Sequence, residues 1–224
     1  MTESAPFTQI QDLSTALAGL VASTAPSVTA VQSHRSRSSG FVWRPGLIVT
    51  ADEALSKDDE FAVTFSRGDK VPAELVGRDP STDVALLRVD RSDLRPVSLV
   101  AAPVPVGALA IAMGAEDGAP TAALGVVSRS GGPWRSLRGG EIDARIELDL
   151  RLRRSAEGGL AVDPAGRAIG MTVFGPRRRV LVIPSATIAR VAARLESHGR
   201  IRAAISASAS GSWQSRAADR APWS

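Results

Sequence analysis

The sequence predicts an all-β fold with one helix at each end. Three observations carry this. Short apolar runs recur between residues 26 and 183, parted by turns rich in Gly, Pro, Asp and Ser. Only two stretches, 7–23 and 185–197, place apolar residues at helical spacing. Glycine and proline together number 34 and mark many of the turns between these runs.

In chain order, Phe7, Ile10, Leu13, Leu17, Leu20 and Val21 form one helical face that ends before Pro26. A strand follows over 26–31. A second, 40–43, turns at Pro45-Gly46 into a third at 47–50. The alternating runs 60–65 and 71–76 flank a polar turn containing Gly68 and read as a hairpin. Asp79-Pro80-Ser81-Thr82-Asp83 is a turn that opens the apolar strand 84–89. The second half repeats the rhythm with runs at 105–114, 121–130 and 142–152. A loop ending in Gly158-Gly159 follows, where absent side chains permit a close backbone approach. Leu160-Ala161-Val162 and Ala168 to Met171 make a hairpin about the Asp163-Pro164-Ala165-Gly166 turn. A strand over 180–183 leads into the helix 185–197, which carries Ile188, Val191 and Leu195 on one face. Residues 203–224 are rich in Ser and Ala without strand rhythm, and are expected to be disordered.

A chain of 224 residues can bury one all-β core or two small ones. No apolar run reaches membrane-spanning length. Met1-Thr2-Glu3-Ser4 lacks the basic start of a secretory signal, so the chain as it stands is expected in the cytoplasm unless an export segment has been removed. The absence of cysteine excludes disulfides and thiolate metal sites. The net charge of +4 is almost entirely arginine, since Lys57 and Lys70 are the only lysines. These arginines are scattered apart from Arg151 to Arg154 and Arg177 to Arg179, and no aromatic stacking set accompanies them, which argues against nucleic acid.

Several segments, taken together, resemble the HtrA/Deg type of trypsin-like serine protease. Pro26-Ser27-Val28, Gly40-Phe41-Val42 and Leu47 to Thr50 are similar to the family's opening strands. Asp79 to Val89 is similar to its Asp-x-x-Thr-Asp-Leu-Ala-Val-Leu-Lys-Val signature, with Asp83 at the triad aspartate. Asp149, Gly158, Gly159, Gly166, Ile169 and Gly170 fit its nucleophile loop and hairpin, and Val182-Ile183-Pro184-Ser185 fits its last strand. The resemblance covers about 25–202 and implies two six-stranded β-barrels after an N-terminal helical extension, 1–24, with no PDZ domain in the sequence given. Active members assemble through N-terminal segments, which makes a homo-oligomer a further expectation. The family is usually extracytoplasmic.

At two triad positions the pattern departs. Glu53 stands where the resemblance expects the histidine, and Glu157 where it expects the nucleophilic serine. A carboxylate cannot become an attacking alkoxide, nor can one supply the paired donor and acceptor of an imidazole. Ser155 replaces the glycine whose amide serves the oxyanion hole beside Gly158. His34 and His198 lie elsewhere in the sequence. Three acids at one cleft allow three resolutions: a hard cation such as Ca²⁺ or Mg²⁺ on Glu53, Asp83 and Glu157, pairing with Arg151, Arg153 or Arg154, or plain solvation. No other cofactor is expected. The first functional reading is a catalytically inactive homologue that binds an extended peptide, a protein or an active relative as scaffold or regulator. Phe174, Val180, Leu181 and Val182 then form the peptide-binding strand pair. The alternatives are residual or carboxylate-based hydrolysis, and a cation-binding module.

Overall fold

The computed structural model of the chain describes residues 5–34, 36–56, 60–66, 68–100 and 103–198. The tail expected to be disordered, 203–224, lies outside the described residues. Helix α1 spans Ala5–Thr24, and its end is set by Pro26, which sits in a 3-10 turn, Ala25–Ser27. That turn moves the start of the first strand to Val28, two residues later than the sequence pattern suggests.

Strands β1 (Val28–Ser33), β2 (Ser36–Arg44), β3 (Leu47–Thr50), β4 (Phe61–Thr64), β5 (Lys70–Asp79) and β6 (Val84–Val89) close an antiparallel barrel in the order β1-β2-β3-β6-β5-β4. The second barrel contains β7 (Leu109–Glu116), β8 (Ala119–Gly131), β11 (Arg145–Asp149), β12 (Leu160–Val162), β13 (Ala168–Phe174) and β14 (Val180–Pro184), in the order β11-β14-β13-β12-β7-β8. Between β8 and β11 lies a two-stranded ribbon, β9 (Trp134–Arg135) with β10 (Glu141–Ile142), where the sequence suggests only a loop. Helix α2, Ser185–His198, closes the described chain. No described helix is long and apolar enough to cross a membrane.

Strand period explains why β14, most of β3 and the Val84 to Leu87 part of β6 read as continuous apolar runs. Alternate residues of a strand face opposite sides, and here both sides are buried. Ile48, Ala85 and Leu87 fill the first barrel, while Val180 and Val182 fill the second. Their neighbours Val49, Leu86, Leu181 and Ile183 face the seam between the barrels. Ile188, Val191 and Leu195 of α2 enter the same shared cluster, and Leu17, Leu20 and Val21 of α1 pack against it. The seam therefore holds the structure together and places the turns at its rim.

Candidate functional site

Three turns bring the predicted acids to that rim. Glu53 follows β3 in a turn closed by the Leu55 N–H on the Asp52 carbonyl at 3.2 Å. Asp83 ends the turn between β5 and β6, where Asp79 accepts hydrogen bonds from the Ser81 N–H at 2.9 Å and the Thr82 hydroxyl at 2.8 Å. The Glu53 N–H donates to Asp83 Oδ1 at 2.7 Å, and the Asp52 N–H to the Asp83 carbonyl at 3.3 Å, so the two turns are laced together. Asp83 adopts φ 59°, a left-handed conformation that costs a non-glycine residue roughly 1 kcal/mol.

Burial is the main force that pushes the Asp83 carboxyl up to about 8. The Glu53 N–H opposes it, while the charges of Glu53, Glu157 and Asp52 add to it. Asp83 is thus mainly protonated at neutral pH. Glu157 is also raised, first by burial and then by Glu53, against the pull of the Phe174 N–H and Arg154. Its Oε1 accepts the Phe174 N–H at 3.4 Å.

The arginine that neutralises this rim is not on the loop that leads into Glu157. Arg138, from the β9–β10 ribbon, pairs with Glu53 at 3.0 Å and donates to the Pro80 carbonyl at 3.3 Å. The Ser136 hydroxyl on the Ser81 carbonyl, at 2.5 Å, anchors the same ribbon. Of the three arginines expected to pair here, Arg154 acts on Glu157 only through its field, and Arg153 reaches Glu116 at 3.7 Å. Arg151 makes no ion pair among the described residues. No sequence pattern points to Arg138, because a Gly-rich loop carries no periodicity to place it. Asp52 is buried with Arg78 as its ion-pair partner, and the Arg78 Nη2 also donates to the Asp52 carbonyl at 3.0 Å. That pair was likewise not anticipated. Among the described residues no group of three His, Asp or Glu side chains is arranged to hold a metal ion.

The loop that ends at Glu157 is held from behind. Ser39 donates its hydroxyl to the Ser155 carbonyl at 2.6 Å, accepts the Ala115 N–H at 2.9 Å, and donates its own N–H to the Glu157 carbonyl at 2.8 Å. Residues Arg154–Ala156 form a 3-10 turn, in which the Glu157 N–H is bonded to the Arg154 carbonyl at 3.2 Å. That amide therefore points into its own loop and not toward an incoming oxygen. Gly158 follows at φ 81°, and a side chain there would collide with the Ser39 carbonyl. Ser39 directly precedes the Gly40-Phe41 motif, so its position was visible in the sequence although its role was not. His34 lines a separate groove, and His198 contacts Ser197 at the end of α2, so neither meets Asp83.

A cleft of 440 Å³ opens beside these acids, lined by Glu53, Asp83, Trp134, Arg138, Phe174 and Leu181 among others. Trp134 is held by its Nε1–H on the Ala144 carbonyl at 3.2 Å, with the Arg145 guanidinium 5.1 Å over its ring. The expectation that Phe174, Val180, Leu181 and Val182 together form a peptide-binding face needs correction. Phe174 and Leu181 line the cleft, but Val180 and Val182 point into the second barrel. Moreover β14 is paired on both sides, with β11 and with β13, so it offers no free edge for an added strand.

Two closed six-stranded barrels with a cleft at their seam define the double-barrel protease architecture. The chain belongs to the trypsin-like peptidase domain family, whose model matches residues 38–171. Within it, the similarity is to HtrA/Deg-type proteins. A probable periplasmic serine endoprotease, DegP-like, from Brucella suis is 30% identical over 174 residues, covering 73% of this chain and 33% of that protein. The Bartonella henselae protein of the same description is 31% identical over 194 residues, covering 79% and 38%. The chain thus spans little more than a third of these relatives' length. Among solved structures, an inactive serine-to-alanine form of Rv3671c from M. tuberculosis H37Rv superposes with a TM-score of 0.69 at 22% identity, covering 82% of this chain and 93% of that one. The HtrA-type protease AlgW with a decapeptide also gives 0.69, at 23% identity, with coverage of 82% and 68%.

Proposed function

We propose that this trypsin-fold protease homologue does not hydrolyse peptides through a serine triad, and acts by binding an extended peptide or protein segment as a scaffold or regulator. The observation that carries this is the state of Glu157. It stands where the resemblance expects the nucleophilic serine, its amide is bonded to the Arg154 carbonyl, and its carboxylate takes the Phe174 N–H. Nucleophile and oxyanion donor are both withdrawn from the place where a carbonyl would be attacked. Asp83 meets a backbone amide where a triad needs an imidazole. The cleft supports binding because it keeps an apolar floor from Trp134, Phe174 and Leu181 beneath a rim of paired charges.

The test is hydrolysis of casein and fluorogenic peptides by the purified chain, beside Glu157→Ala and Glu53→His/Glu157→Ser. The expected result is turnover no higher than that of Glu157→Ala. Wild-type turnover that Glu157→Ala abolishes would overturn the reading and make the carboxylates an active site of another kind, with protonated Asp83 as an acid.

A further inference from the structure

Across the Glu157 loop from the cleft lies a groove of 1170 Å³, walled by the β1–β2 and β4–β5 hairpins and by the turn that leads into Glu157. Arg37, Lys70, Arg153 and Arg154 line it, against two carboxylates, Glu60 and Glu116. Pairing removes little of this charge. Arg37 reaches Asp117 at 3.1 Å and Arg153 reaches Glu116 at 3.7 Å, and all four side chains are well exposed, so solvent screens both pairs. Lys70 and Arg154 have no carboxylate within ion-pair distance among the described residues. Small side chains such as Ser33, Ser36 and Ala62 leave room for a chain to lie in the groove.

Charge is distributed differently on the two sides of the loop. In the cleft the charges are largely matched, since Glu53 pairs with Arg138, Arg145 pairs with Glu147 and Asp83 is mainly protonated, which leaves Trp134, Phe174 and Leu181 as an apolar floor. The groove presents an excess of cations. We propose that the groove receives the acidic residues of an extended partner segment whose apolar residues occupy the cleft. This rests on the peptide-binding reading above and adds the chemical class of the partner. Nucleic acid fits less well. Phe61 is buried in the first barrel and offers no stacking face, and Glu60 and Glu116 oppose a continuous phosphate backbone.

The experiment is fluorescence anisotropy on the whole chain with three labelled peptides that share an apolar half. One has an Asp/Glu-rich second half, one its Asn/Gln isostere, and one a Lys-rich counterpart. The acidic peptide is expected to bind about tenfold tighter than the isostere, with the advantage shrinking as salt rises. Arg153→Glu/Arg154→Glu, and separately Lys70→Glu, are expected to remove that advantage, while Arg194→Glu on α2, outside the groove, keeps it. Equal binding of all three peptides would overturn the groove's role and leave peptide binding standing. Binding of none would overturn both readings. A single-stranded oligonucleotide that binds more tightly than the acidic peptide, and is released by the same substitutions, would overturn the assignment to protein partners.

Discussion

Asp83 concentrates the electrostatic conflict of the site in one carboxyl group. Its pKa is raised from 3.8 to about 8, chiefly by burial and further by three neighbouring acids. Between those two values the folded chain keeps a proton that the unfolded chain has lost. The contribution to stability is therefore intact below about pH 4, falls as the pH rises, and is fully lost above about pH 8. The slope is at most about 1.4 kcal/mol per pH unit. Asp83→Asn removes this titration. Its amide oxygen can still accept the Glu53 N–H, and Asn tolerates the left-handed backbone. The variant is expected to match the wild type near pH 4 and to exceed its urea midpoint at pH 9. Parallel stability curves for the two proteins would show that Asp83 is not held protonated by the fold. Glu147, Asp143 and Asp163 act in the opposite sense: burial opposes it, but hydrogen bonds and arginine partners hold them below the usual carboxylate range. Their stabilisation is lost at low pH in both proteins and cancels from the difference.

At the scale of elements, the loop from Arg153 to Gly159 is fixed by backbone geometry as much as by its side chains. Gly158 at φ 81° and Gly139 at φ 82° share a left-handed conformation, yet only Gly158 has a neighbour in the way. Gly139→Ala in the ribbon carries conformational strain alone, roughly 1 kcal/mol. Gly158→Ala adds a collision with the Ser39 carbonyl and with Thr50, and is expected to cost about 3 kcal/mol or more. Denaturant midpoints of the two variants check this, and equal losses would mean that the loop relaxes freely away from Ser39. The same contrast explains what the sequence disclosed. Gly158-Gly159 and the β12–β13 hairpin were legible because turn residues and apolar strands fall in a fixed order. Strands β3, β6 and β14 were legible because two buried faces leave few polar positions in the run, the exposed Arg88 of β6 being the main exception. The β9–β10 ribbon was not, since two-residue strands have no period to detect. With it went Arg138, the partner of Glu53, which local sequence cannot place because the pairing depends on how the ribbon folds across the β5–β6 turn. The faces of Val180 and Val182 were misjudged for a related reason. A strand buried on both sides gives no hint of which residues look outward.

For the whole molecule, the deciding feature is that the largest apolar cluster belongs to neither barrel alone. Phe41, Val49 and Leu86 from the first barrel meet Met113, Met171 and Ile183 from the second, with Ile188 and Leu195 of α2 in the same cluster. Each barrel also has its own interior, around Leu87 in the first and Val182 in the second. Separate interiors alone would let the barrels unfold independently. A shared cluster couples them, because opening either barrel exposes side chains that the other also buries. The chain is therefore expected to melt in one calorimetric transition with matching calorimetric and van't Hoff enthalpies. Leu87→Ala, which empties space only inside the first barrel, should cost about 2–5 kcal/mol. It should lower the single transition by roughly 5–15 °C as a unit, at about 2–4 °C per kcal/mol for a chain of this size. Met113→Ala, at the seam, should do the same. A split endotherm in Leu87→Ala, with half of the heat unmoved, would show that the barrels are thermodynamically separate. The cleft between them would then be a joint free to open, whereas a single transition makes it a rigid seat for whatever segment it binds.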